Sequence, residues 1–156
     1  YISEDGNKVV IGSPNYNGNG WGLGKVSVYI WNDSSWDKLG NDIIGLNEWD
    51  YFGKAVFLSS DGNTIVIGSP FYDSDDYDEG KVSFYTWTGS SWIKAFDDIL
   101  GESYYRHFGK SLYYSPDGNL FVAGQAFAAF QMKDQDFDHG NIDELLFYMS
   151  CGKIIC

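Results

Sequence analysis

The tripeptide Asp-Gly-Asn begins at residues 5, 61 and 117, and both intervals are 56 residues. Around it the copies stay in phase without a gap. Segment 5–31 laid on 61–87 gives 15 identities in 27 positions, and "GKVSVYIW" at 24–31 returns as "GKVSFYTW" at 80–87. Phe52-Gly53-Lys54 likewise returns as Phe108-Gly109-Lys110. Self-similarity at a fixed period of this length marks an architecture made by stacking one supersecondary unit. Any fold assigned to the chain must therefore give residues 56 apart equivalent backbone geometry.

Each unit reads as four short strands. The first is "GKAVFLSS" at 53–60, matched by "GKSLYYS" at 109–115, and the Asp-Gly-Asn turn that follows is a strong hairpin signal. The second is a continuous apolar run, "KVVIGSP", "TIVIGSP" or "LFVAGQA", which suits a strand covered on both faces. The third alternates, with Val26, Val28 and Ile30 on one face and Ser27, Tyr29 and Trp31 on the other. The fourth starts at Trp36 or Trp92 and soon turns polar. No window offers an amphipathic, capped helix. The fold expected is all-β: four-stranded antiparallel units, greasy on two faces, stacked as blades of a β-propeller. A sandwich would leave the ungapped period unexplained.

Composition agrees. Aromatic residues make up 19% of the chain, and 19 Gly against 3 Pro place the turns on Gly and Asx chemistry. The formal net charge of −12 repels phosphate backbones, which argues against nucleic acid and anionic membranes and leaves cations, basic proteins and neutral sugars as partners. Such a charge also simply keeps a protein soluble. No apolar run approaches the ~18 residues of a membrane span. The sequence opens on Tyr1 rather than Met and no stretch of it reads as a secretory leader, which decides nothing about targeting. Cys151 and Cys156 are the only cysteines, too few for a disulfide scaffold, and read either as a bridge across a last hairpin or as free thiols.

"YFGKAVFLSSDGNTIVIGSP" resembles the FG-GAP repeat, the blade unit of integrin-alpha-type propellers, with Phe52-Gly53 at the "FG" and Gly68-Ser69-Pro70 at the "GAP". The continuation through "GKVSFYTWTGSSW" is similar to tandem FG-GAP-like repeats of large surface or secreted proteins. The resemblance covers the chain to about residue 126. It implies a seven-bladed propeller outside the cell or at its surface, working in adhesion or recognition. The family's calcium loop is not carried over, because Ser60-Asp61-Gly62-Asn63 is too short to supply six to eight oxygens. Asp61 reads as a turn residue.

On this phasing the units are 1–51, which lacks a first strand, 52–107, and 108–156, which is incomplete; about 2.8 periods are present. The expectation is a partial propeller of about three blades from a longer protein, with other blades, or other copies of the chain, as its neighbours.

Three sets of residues are candidates for chemistry. The loops between second and third strands are acidic. Asp134, Asp136 and Asp138, and then Asp73, Asp75 and Asp78, have the alternating spacing that calcium loops use. The competing reading is a solvated acidic loop. Trp31/Trp36 and Trp87/Trp92 bracket hairpins, where cross-strand pairs stabilise the sheet. Trp21, Trp49, Tyr104 and Tyr105 lie in connections instead, where exposed aromatic rings could take a protein or carbohydrate ligand. Antiparallel geometry puts the second-to-third-strand loops at the same end as the connections between units, 46–51 and 102–107. Asn32-Asp33-Ser34 is a glycosylation sequon at a hairpin tip.

Catalysis finds little support. The chain has two histidines, His107 and His139, and no G-x-S-x-G, and "NGNGWGLG" departs from the dinucleotide-binding fingerprint. The reading is therefore a non-enzymatic binding or adhesion module. Its competitors are a ligand-free spacer and a carboxylate-based hydrolase.

Overall fold

The β-branched, apolar stretches lie extended wherever an Asx-Gly turn lets them fold back. The computed structural model describes residues 1–74, 77–101, 107–114, 120–125 and 128–133, and these form an all-β structure of antiparallel sheets. The first sheet holds β1 (Lys8–Ser13), β2 (Lys25–Trp31), β3 (Trp36–Lys38) and β4 (Ile43–Ile44). The second holds β5 (Ala55–Leu58), β6 (Thr64–Ser69), β7 (Lys81–Trp87), β8 (Trp92–Lys94) and β9 (Ile99–Leu100). The third holds β10 (Ser111–Tyr114), β11 (Leu120–Gln125) and β12 (Ala128–Lys133). Among the described residues there is no helix long and apolar enough to cross a membrane.

Pairing repeats with the sequence period. Val9 faces Tyr29 as Ile65 faces Tyr85, and Trp31 faces Trp36 as Trp87 faces Trp92. The isolated bridge of Ile2 to Val9 is the counterpart of Leu58 against Ile65 in the β5–β6 pair. The turns repeat in their hydrogen bonds as well. The Ser3 hydroxyl donates to Asp5 Oδ1 at 2.6 Å, which also accepts from the Asn7 N–H at 2.9 Å. Ser59, Asp61 and Asn63 make the same bonds one period later. Burial pushes the Asp61 carboxyl upward, but the Ser59 and Asn63 donors more than offset this and hold it below the usual carboxylate range.

The fourth strand departs from the sequence reading, because it is broken in two. Tyr29 pairs with Lys38 and Val26 with Ile43, so three steps along β2 span five on its partner and two residues bulge out. The second sheet repeats the slip between Lys94 and Ile99. In the bulge the Leu39 N–H still donates to the Val28 carbonyl at 2.8 Å, and Gly40 takes a left-handed φ of 77°. The Asp42 carboxylate then accepts the Ser27 hydroxyl at 2.6 Å. A bulge of this kind bends an edge strand and raises its local twist.

The core lies between sheets. Val10, Val26, Val28 and Ile43 of the first sheet cluster with Leu58, Ile65 and Ile67 of the second. Phe57, Val66, Val82 and Phe84, from the other side of the second sheet, cluster with Phe108 and Ala123. Successive residues of β6 thus point to different neighbours, and its whole apolar run is buried, as a strand covered on both faces requires. The matching run of β1 is buried less: Val10 is covered, whereas Ile11 is left 47% exposed.

The sheets approach at glycine. A Cβ on Gly12 would overlap the Gly53 carbonyl, and one on Gly68 would overlap the Gly109 carbonyl. The Gly53 N–H donates to the Gly68 carbonyl at 3.1 Å, as Gly109 does to Gly124. The Phe-Gly and Gly-Ser-Pro elements therefore have one shared cause: two backbones touch there with no room for a side chain.

Candidate functional site

Trp21, in the connection from β1 to β2, and Trp49, between β4 and β5, meet at one end of the first sheet. The Trp49 N–H donates to the Trp21 carbonyl at 2.8 Å and the Tyr51 N–H to the Gly22 carbonyl at 3.0 Å. Trp49 and Tyr51 hold left-handed φ values of 68° and 53°, a conformation that costs non-glycine residues energy and persists where surroundings fix it. The two indoles lie 7° from parallel with centroids 6.4 Å apart, and they are 62% and 54% exposed. The pairing of loops expected at one end is thus observed.

The row continues across the second unit. Trp49 meets Tyr51 at 6.5 Å, Tyr51 meets Phe71 edge-on at 5.2 Å, and Phe71 meets His107 at 4.8 Å. His107 occupies the position of Tyr51 one period later, with the same left-handed backbone at φ 53°. Its N–H donates to the Asp78 carbonyl and its Nδ1 lies 3.2 Å from the Pro70 carbonyl. Trp21 and Trp49 were legible as candidates. Tyr51 and Phe71 were missed, although the aromatic residue immediately before Phe52-Gly53 was the available signal. Tyr104 and Tyr105 lie outside the described residues.

Beside the row, an ionic layer repeats in five positions, partly buried, with its second lysine exposed in each unit. Tyr16, Lys25, Ser27, Lys38 and Asp42 recur as Tyr72, Lys81, Ser83, Lys94 and Asp98. Lys25 Nζ lies 3.6 Å from Asp42 and 4.7 Å from the Tyr16 ring centre. Lys81 Nζ lies 3.5 Å from Asp98 and 3.8 Å from the Tyr72 ring centre. Burial pushes Asp98 upward, but the Ser83 hydroxyl and the two lysines more than offset it and hold it below the usual carboxylate range.

Asp50, between Trp49 and Tyr51, carries this layer across units. Its carboxylate is buried, accepts from Asn47 Nδ2 at 3.1 Å, and lies 3.9 Å from Lys81 Nζ. Burial outweighs these partners and raises its pKa to about 6. A carboxyl whose folded pKa exceeds its unfolded value opposes folding when ionised, and that cost falls away as the pH drops through 6 toward 4. Asp50→Asn is therefore expected to stabilise the protein at pH 7, by on the order of 1–2 kcal/mol, and to change it little at pH 4.5. Urea unfolding at the two pH values checks this; a larger loss at pH 7 than at pH 4.5 would make the Lys81 attraction dominant instead.

The acidic loop is less convergent. Asp73 Oδ1 accepts the Asp78 N–H at 2.5 Å, so this carboxylate caps its own loop. Among the described residues no three carboxylate, histidine or cysteine side chains are arranged to hold a metal ion. Asp75, Asp134, Asp136 and Asp138 lie outside the described residues, as do Cys151 and Cys156. The Trp31/Trp36 and Trp87/Trp92 pairs are cross-strand contacts at 5.5 and 5.3 Å.

The site is therefore an aromatic row held by strained, hydrogen-bonded backbone beside a partly buried ionic layer. It can stack on a flat ligand face or take a cation against its rings. No protein-family model matches the chain, and no curated protein matches it.

Proposed function

We propose that the protein is a binding or adhesion module of the extracellular medium or cell surface, and that its 56-residue units are FG-GAP-like blades of a β-propeller. Sheets that pair with one period and meet at Phe-Gly and Gly-Ser-Pro backbones support the blade reading. The functional reading rests on the parallel Trp21–Trp49 pair, two large rings left open to solvent on a backbone fixed by main-chain bonds. A ring left more than half open contributes little to the core, and rigid exposed tryptophans are typical anchors of recognition surfaces. The ligand is a carbohydrate or a protein surface that fits this row.

The test is a screen of glycans and basic peptides by calorimetry, followed by Trp49→Ala and Trp21→Ala. Each substitution is expected to weaken binding by about 30-fold, the effect of losing roughly 2 kcal/mol at an anchor. Thermal stability should be nearly unchanged. Binding that survives both substitutions would remove the row from recognition, and no binding across the screen would favour the spacer reading.

A further inference from the structure

The first sheet exposes the same face that the second buries. Against the first unit, Leu58 is 1% exposed and Ile65 and Ile67 are 0% exposed, with Tyr85 and Trp92 packed beside them. One period earlier, Ile2 is 52% and Ile11 47% exposed, with Trp36 exposed and Val9 and Tyr29 half-buried. The chemistry is alike and the burial is not. The second unit's face also has specific partners in the first unit. Trp92 Nε1 donates to the Leu39 carbonyl at 2.9 Å, and Gly40 lies under Trp87 and Trp92, where a Cβ would crowd the Trp87 ring at 2.8 Å. Lys8 Nζ donates to the Asp61 and Gly62 carbonyls at 3.2 Å each, and to Asn63 Oδ1 at 3.0 Å. At the equivalent turn, a Cβ on Gly6 would have nothing within 4 Å.

We propose that the face made by Ile2, Val9, Ile11, Tyr29 and Trp36 docks a further unit of the same 56-residue repeat. The interface between the first and second units defines the occupant. It presents a Leu-Gly-x-Asp bulge whose leucine carbonyl takes the Trp36 indole N–H, with its glycine beneath the Trp31–Trp36 pair. Its second and third strands carry valines that cover Ile2, Val9 and Ile11, as Val10 and Val28 pack with Leu58, Ile65 and Ile67. A lysine at the start of its second strand reaches the carbonyls of Asp5 and Gly6. In a stack of this kind each unit gains its stability from neighbours, so the same face seeks the same cover at every position. The inference rests on the stacking of units and is independent of what the aromatic row binds.

The test places residues 52–112 ahead of Tyr1 in the full chain, which adds one unit in phase, because Tyr113 lies two periods after Tyr1. The added copy carries Thr64→Lys, Phe84→Val, Ala95→Leu and Phe96→Gly, so that it has the lysine, the valine and the Leu-Gly bulge of the first unit. Hydroxyl-radical labelling then reads Ile2, Ile11 and Trp36 in the original and extended chains. The expected result is several-fold lower labelling of all three in the extended chain and a higher Tm. Ile11→Glu should leave the Tm of the original chain nearly unchanged and lower that of the extended chain. Unchanged labelling, or an extended chain no more stable than the original, overturns the proposal. So does concentration-dependent protection of Ile11 in the original chain, abolished by Ile11→Glu, because the occupant would then be a second copy and not a further unit.

Discussion

Gly68→Ala is expected to be among the most damaging single-methyl changes in the protein. Its Cβ would overlap the Gly109 carbonyl of the next unit, and the obstacle is main chain. Overpacking a tight core costs about 1–3 kcal/mol where side chains adjust, and a backbone that cannot rotate away puts this case at about 3 kcal/mol or more. For a chain of this size that lowers Tm by roughly 6–12 °C, read by thermal unfolding in circular dichroism. Gly124→Ala is the internal control. There the added methyl meets the Ser111 hydroxyl, which has other rotamers, so the loss should be well under half as large. Equal losses at the two sites, or a neutral Gly68→Ala, would show that the sheets do not meet through Gly68.

The second large effect separates two isoleucines that occupy the same repeat position. Ile67→Ala removes a fully buried side chain between the first and second sheets and should cost about 2–5 kcal/mol. Ile11→Ala, one period earlier, removes a side chain that is half exposed and should cost less than about 1 kcal/mol. Urea midpoints of the two variants measure the difference directly. Sequence alone would assign them one value, so similar losses would mean that β1 and β6 are covered alike.

The repeat made much of this fold legible. Residues 56 apart make the same strand pairs and the same turn bonds, and the alternation in "KVSVYIW" placed Val26 and Val28 in the core. The break in the fourth strand was not legible. It depends on Ser27 and Ser83 hydroxyls donating to Asp42 and Asp98 across the sheet, a side-chain bond with no hydropathy signature. The ionic layer was not legible for a related reason. Lys25 and Lys81 read as ordinary polar residues at the head of a strand, and only register brings Asp42, Asp98 and Asp50 to them. In the candidate site, Trp21 and Trp49 stood out because large rings in loops are unusual. Tyr51 and Phe71 looked like flanks of core motifs, and their place in the row follows from left-handed backbone at residues 49 and 51.

The repeat also explains why one motif serves both packing and presentation. Phe52 and Gly53 lie at the sheet interface, while the residues just before them, Trp49 and Tyr51, carry the aromatic row. The packing contact and the rings proposed for recognition therefore lie within five residues. Asp50 sits between them, its side chain turned inward to Lys81.

The most direct measurement is a methyl NOE spectrum of β6. Ile65 and Ile67 are expected to show contacts to Val10, Val26 and Val28 of the first sheet, whereas Val66, between them in sequence, shows contacts to Phe108 and Ala123 of the third unit. That alternation follows from a strand with one unit against each face. Contacts from all three residues to the same neighbour, or from Val66 to the first sheet, would contradict the stacking of units on which the fold and the placement of the aromatic row depend.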